Sequence, residues 1–163
     1  MARFYLRWPG LGRPGMRKTA MVAIATPGFA RPLHPFHAIL LAFPLPLFLG
    51  ALLSDLAFGA NYHQQWANFA SWLIAGGLVM GGFALAWAVV ELFLLPRPQR
   101  RWQGFYIMAL LVMWGLGFVN ALVHAKDAWA TMPEGLWLSI ATVLLALLAS
   151  WMGYSRFERG DVR

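Results

Sequence analysis

Four apolar runs, each long enough to cross a bilayer, crowd into 163 residues. A spanning helix needs about 20 consecutive apolar residues. The runs cover 37–58, 68–91, 104–125 and 135–155. The first has no formal charge before Asp55, and the second closes on Glu91. The third holds only His124 and Tyr106 as titratable groups, and the fourth lies between Glu134 and Arg156. In hydrocarbon every backbone N–H and C=O must be paired within the protein, so such runs are helices. The expectation is an all-α integral membrane four-helix bundle over 34–155. A basic, disordered arm over 1–33 precedes it and a basic tail over 156–163 follows. Composition closes the soluble alternative: 60% of the chain is hydrophobic and 12% is charged, against about 25% charged in soluble domains. With no cysteine there is no disulfide, thiolate nucleophile or cysteine-held metal.

Placement of the basic residues sets an expected orientation. Arg3, Arg7, Arg13, Arg17, Lys18 and Arg31 precede the first run. Arg97, Arg100 and Arg101 fill the second loop, and Arg156, Arg159 and Arg163 the tail. The loop at 59–67 has none and the loop at 126–134 only Lys126. Twelve of the thirteen basic residues therefore share one side. The expectation is an antiparallel up-down bundle with both termini cytoplasmic, in a bacterial inner membrane. The net charge of +7 then serves topology and anionic lipid, not nucleic acid. Trp66, Trp72, Trp129 and Trp137 fall at one interface and Trp87, Trp102, Trp151 and Tyr154 at the other, with Tyr106. Trp114, near the middle of the third run, reads as core packing. The segment around Ala20–Ala25 loosely imitates a signal peptide, and Met16 or Met21 could be the true start.

Lipid supplies no hydrophobic force between helices, so small residues must let them approach. Gly77 and Gly81, Gly82 and Ala86, Gly117 and Ala121, and Ala149 and Gly153 each repeat at i, i+4. Pro44 and Pro46 cannot donate to the preceding turn and should kink the first span.

Ionisable residues inside a membrane default to functional candidates. Two clusters emerge once the topology is imposed. One holds His34, His37, Glu91 and Tyr106, with a His37–Glu91 hydrogen bond expected. The other holds Asp55, His63, Asn68, Asn120, His124 and Asp127; Asn120 and His124 share a helix face. Asp55 lies about 27 Å along the helix from His37 at 1.5 Å per residue, so the clusters occupy opposite ends. Histidines in a four-helix membrane protein raise b-type haem, for which His34, His37 and His124 are the candidate ligands, or a quinone site. A bis-histidine haem needs two imidazoles on facing helices at one depth, and neither cluster offers that pair plainly. His34 and His37 lack two further ligands for a metal, so no metal site is expected. No P-loop, nucleophile elbow or zinc-protease motif is present, and no catalytic residue is assigned.

The stretch His34-Pro35-Phe36-His37, the following apolar run with Phe43-Pro44, and Asp55 at the end of that helix resemble the opening motif of a bacterial membrane family. That family is called domain of unknown function 2231. Its members begin His-Pro-x-His-Pro. The likeness extends more weakly to about residue 155 through the Gly-rich second span, the basic loop, an Asn-bearing third span and Trp151-x-Gly153. Ala38 replaces the second motif proline, and Phe105 and Tyr106 stand where members often have a histidine. Tyr154 and Ser155 replace a Gly-Glu pair, and the histidine that follows it is absent. The resemblance implies a four-helix inner-membrane protein that accompanies periplasmic oxidoreductases. It carries over to His34, His37, Phe43, Pro44, Asp55, Trp151 and Gly153.

Together these readings favour a non-catalytic anchor or assembly partner of a periplasmic redox protein. The alternatives are a haem- or quinone-linked electron carrier and a small transporter or channel subunit. The bilayer is the expected partner, and oligomers are compatible with the small-residue faces.

Overall fold

The computed structural model describes residues 33–95, 97–126 and 131–155. The arm before Leu33, the candidates Asp127 and Trp129, and the tail from Arg156 lie outside the described residues. The helices in order are α1 (Pro35–Ala42), α2 (Pro44–Asn61), α3 (Gln64–Leu94), α4 (Arg97–His124) and α5 (Glu134–Tyr154). Four stretches are long and apolar enough to cross a membrane: Pro35–Asn61, Gln64–Leu94, Arg100–His124 and Glu134–Tyr154.

The first stretch is two helices. The break falls at Phe43, because Pro44 and Pro46 have no N–H to give to the turn before them. Phe43 keeps helical angles, φ −81° and ψ −41°, so the chain continues in nearly the same direction. Proline suits the first turn of a helix, and α2 opens on one. At its far end Tyr62 takes the left-handed conformation, φ 59° and ψ 20°, and its N–H closes on the Phe58 carbonyl at 2.7 Å. That cap turns the chain into α3.

A single spacing rule places the core. The buried residues of α3 are Ala67, Ala70, Ile74, Gly77, Gly81, Ala84 and Ala88, alternating steps of three and four. In α4 the buried positions are Gln103, Tyr106, Leu110, Met113, Gly117, Asn120 and His124. In α5 they include Gly135, Ser139, Thr142, Ala146, Ala149 and Gly153. Through α1 and α2 the same steps join His37, Leu41, Pro44, Phe48, Ala51, Asp55 and Phe58. A 3.5-residue repeat of buried positions is the seam of knobs-into-holes packing. The seam runs through the proline break without losing register. Around it α2 packs on α3 and α5, α3 on α4, and α4 on α5, while α1 lies mainly against α3.

The glycines on this seam receive large side chains. A Cβ at Gly77 would stand 2.7 Å from the Phe48 ring, and one at Gly117 would stand 3.2 Å from it. Phe48 is 1% exposed, so the two glycines form the slot that lets α2 reach the centre. Gly82 makes room in the same way for Trp114, whose Nε1 donates to the Leu78 carbonyl at 3.0 Å. The opposite faces carry exposed Leu53, Val79, Phe83, Leu122 and Leu144. Hydrocarbon, not water, suits so much apolar surface.

Candidate functional site

Five of the polar candidates, His37, Asp55, Tyr106, Asn120 and His124, lie on the seam. His37 is fully buried, and its Nε2 is 2.8 Å from the Tyr106 hydroxyl. Its Nδ1 faces Glu91 Oε1 at 3.4 Å, too long for a strong hydrogen bond. Glu91 Oε1 instead accepts from Trp87 Nε1 at 2.9 Å. The nearby carboxylate favours a proton on Nδ1, which leaves Nε2 to accept from Tyr106. His34 does not enter this cluster's interior. It is exposed, caps α1 by accepting from the Phe36 N–H at 3.3 Å, and lies against the Trp87 ring at 5.1 Å. Tyr154 ties α5 to α1 by donating to the Ala38 carbonyl at 3.0 Å.

Eighteen residues further along both segments, from His37 to Asp55 and from Tyr106 to His124, stands the second cluster. His124 Nε2 is 2.8 Å from Asp55 Oδ1, and both side chains are 1% exposed. His124 Nδ1 is 3.0 Å from the Asn120 carbonyl, one turn back on its own helix. Ser139 donates to Asp55 Oδ2 at 2.5 Å, and Asn120 Nδ2 donates to Ser139 Oγ at 2.9 Å. Thus α2, α4 and α5 meet on one carboxylate. Burying a charge in a low-dielectric interior is costly unless it is paired and hydrogen-bonded; Asp55 receives both. His63 stays apart, exposed in the turn between α2 and α3, and Asn68 is exposed on α3.

The chemistry open to these groups follows from their order. In a nucleophilic triad the imidazole stands between hydroxyl and carboxylate. Here the carboxylate stands between, because Ser139 donates to Asp55 and not to His124. For haem, His124 would have to release one of two occupied ring nitrogens, whereas His37 keeps its Nδ1 without a hydrogen-bond partner, 3.4 Å from Glu91. Among the described residues no three His, Asp or Glu side chains gather as metal ligands.

Two polar seam residues were not singled out from the sequence. Ser139 is one. Gln103 is the other: it is fully buried and donates to the Ala88 carbonyl at 2.7 Å. Their signal was the three-four spacing that aligns Gln103, Tyr106, Asn120 and His124 on one helix, and Gly135, Ser139 and Thr142 on the next.

A family model described as "Predicted membrane protein (DUF2231)" matches residues 33–162. The chain belongs to this family. No curated protein and no solved structure matches it.

Proposed function

We propose that this member of the DUF2231 family is a non-catalytic anchor or assembly partner for a periplasmic redox protein, held in a bacterial inner membrane. One observation carries the reading: every polar side-chain atom of the buried Asp55 and His124 is engaged by another group of the same chain. Such pairs fix helices against one another, whereas a catalytic or ligand-binding group keeps an unshared face for its substrate. The redox partner is drawn from the sequence resemblance, and the outward apolar faces suit the chain to the bilayer.

The same reading takes the bundle as antiparallel and up-down, with both termini cytoplasmic. Two facts support it. His37 meets Tyr106, and eighteen residues later on both segments Asp55 meets His124, as parallel diagonal helices would. The described basic residues Arg100 and Arg101 lie at the end of α4 near His37, while the turn at 59–63 carries none.

Two experiments test this. The chain has no cysteine, so single cysteines at Gln65 and Arg101 can be labelled from either side of inverted and right-side-out vesicles. Opposite labelling is expected, with Arg101 reached from the cytoplasmic side; labelling of both from one side overturns the topology. Affinity purification from native membranes in mild detergent should bring down an oxidoreductase, and recovery of the chain alone contradicts the anchor reading.

A further inference from the structure

At the His124 end a cavity of about 570 Å³ is lined by Ala67 and by the polar Gln64, Gln65, Asn68, Ser71, His124 and Lys126. It brings a polar, wettable space to the edge of a pair buried among three helices. The hydrogen bonds around that pair fix its proton count. The Asn120 carbonyl can only accept, so His124 Nδ1 carries a proton. The 2.8 Å contact between Nε2 and Asp55 Oδ1 needs one more proton, no fewer and no more. With none, two lone pairs oppose each other; with two, two hydrogens do. Ser139 is committed as donor to Oδ2 by the Asn120 amide that donates to its oxygen, so it cannot supply the missing proton.

We propose that Asp55 and His124 form a single-proton site, filled and emptied through this cavity, and that the shared proton latches α2, α4 and α5 together. Loaded, the pair is net neutral whether the proton sits on nitrogen or on oxygen, which suits an apolar interior. On the alkaline side the proton leaves through His124 to water in the cavity. A bare carboxylate then faces an imidazole lone pair. The latch is therefore tight while the shared proton is held and loosens once it leaves.

Among the described residues the surrounding charges do not replace it. From α2 the facing titratable group is Asp55 itself. Among the described residues, the cavity lining contributed by α3 is neutral: Gln64, Gln65, Asn68 and Ser71. Beyond the end of α4 stands Lys126, at the cavity rim, and α5 presents neutral Ser139 and Thr142, with Glu134 exposed at its start.

The test uses the full chain in lipid nanodiscs with nitrogen-15-labelled histidine. Across the middle pH range His124 should show a protonated Nδ1 and an Nε2 shifted by a shared proton. On raising the pH, that Nε2 signal should move to the lone-pair position as the thermal midpoint falls. An Nε2 signal that does not move between pH extremes while stability changes would overturn the proposal. Asp55→Asn supplies a second readout, because its amide N–H can donate to a neutral His124. The alkaline fall in thermal midpoint should vanish in that variant, and an alkaline fall equal to that of the parent chain would refute the latch. Asn68→Leu with Ser71→Leu removes two of the polar groups lining the cavity and should slow the approach of the Nε2 signal to its new position after a pH jump at least tenfold. An unchanged rate would exclude the cavity as the route.

Discussion

The two ends of the bundle meet the same demand, a carboxylate beside an imidazole, in different ways. Glu91 keeps 19% of its side chain exposed, stands 3.4 Å from His37 and accepts one indole N–H. Asp55 is 1% exposed and receives His124 at 2.8 Å on one oxygen and Ser139 on the other. Solvent access explains the difference. A partly wet carboxylate needs little help from the protein, whereas a buried one must have its lone pairs met by side chains. Each end draws residues from three helices, but only at the Asp55 end do two other helices meet on the carboxylate itself.

The sharpest contrast should come from removing each carboxylate. Asp55→Ala leaves His124 and Ser139 without their acceptor and should cost about 3–5 kcal/mol of unfolding free energy. Glu91→Ala should cost about 1 kcal/mol or less. Equal losses in mixed-micelle unfolding would break the comparison. Next come the hydroxyls. Ser139→Ala strips a partner from a charged oxygen and should lie at the upper end of about 1–3 kcal/mol, with Tyr106→Phe at the lower end. Both ends also rest on a glycine of α5. A Cβ at Gly135 would come within 2.9 Å of His124 Cε1, and one at Gly153 within 3.1 Å of the Tyr106 hydroxyl. Each Ala substitution should destabilise by about 1–3 kcal/mol through overpacking. The same His124 nitrogen-15 spectrum shows whether Gly135→Ala displaces the ring. The smallest effect belongs to Gln103→Met. Buried Gln103 Oε1 has no hydrogen-bond partner, so an apolar side chain of similar length should change stability by less than about 1 kcal/mol.

Much of this was legible in the sequence because lipid leaves a chain few options. Four runs of about twenty apolar residues could only be helices, and Pro44 and Pro46 marked the break at Phe43. The Asp55 and His124 candidates were found by charge alone, since an ionisable group in such a run needs a partner. Charge also over-selected. His34 and His63 are ionisable but lie off the seam and are exposed. The sequence reading under-selected too: it named the neutral Asn68 and Asn120 but not Ser139 and Gln103. Spacing separates these cases: the buried positions step by three and four on every long helix. What no spacing supplies is the angular offset between helices, and that offset decides that Ser139 reaches Asp55 while Thr142 bonds back to Leu138.

The central claim is that the dry pair is a strong, specific tie between helices and the wetter pair a weak one. A double-mutant cycle on Asp55→Ala and His124→Ala, read by reversible unfolding in mixed micelles beside the same cycle on Glu91→Ala and His37→Ala, tests it directly. A coupling of about 2 kcal/mol or more for the first cycle and under about 1 kcal/mol for the second is predicted. Equal couplings, or a first coupling near zero, would contradict it.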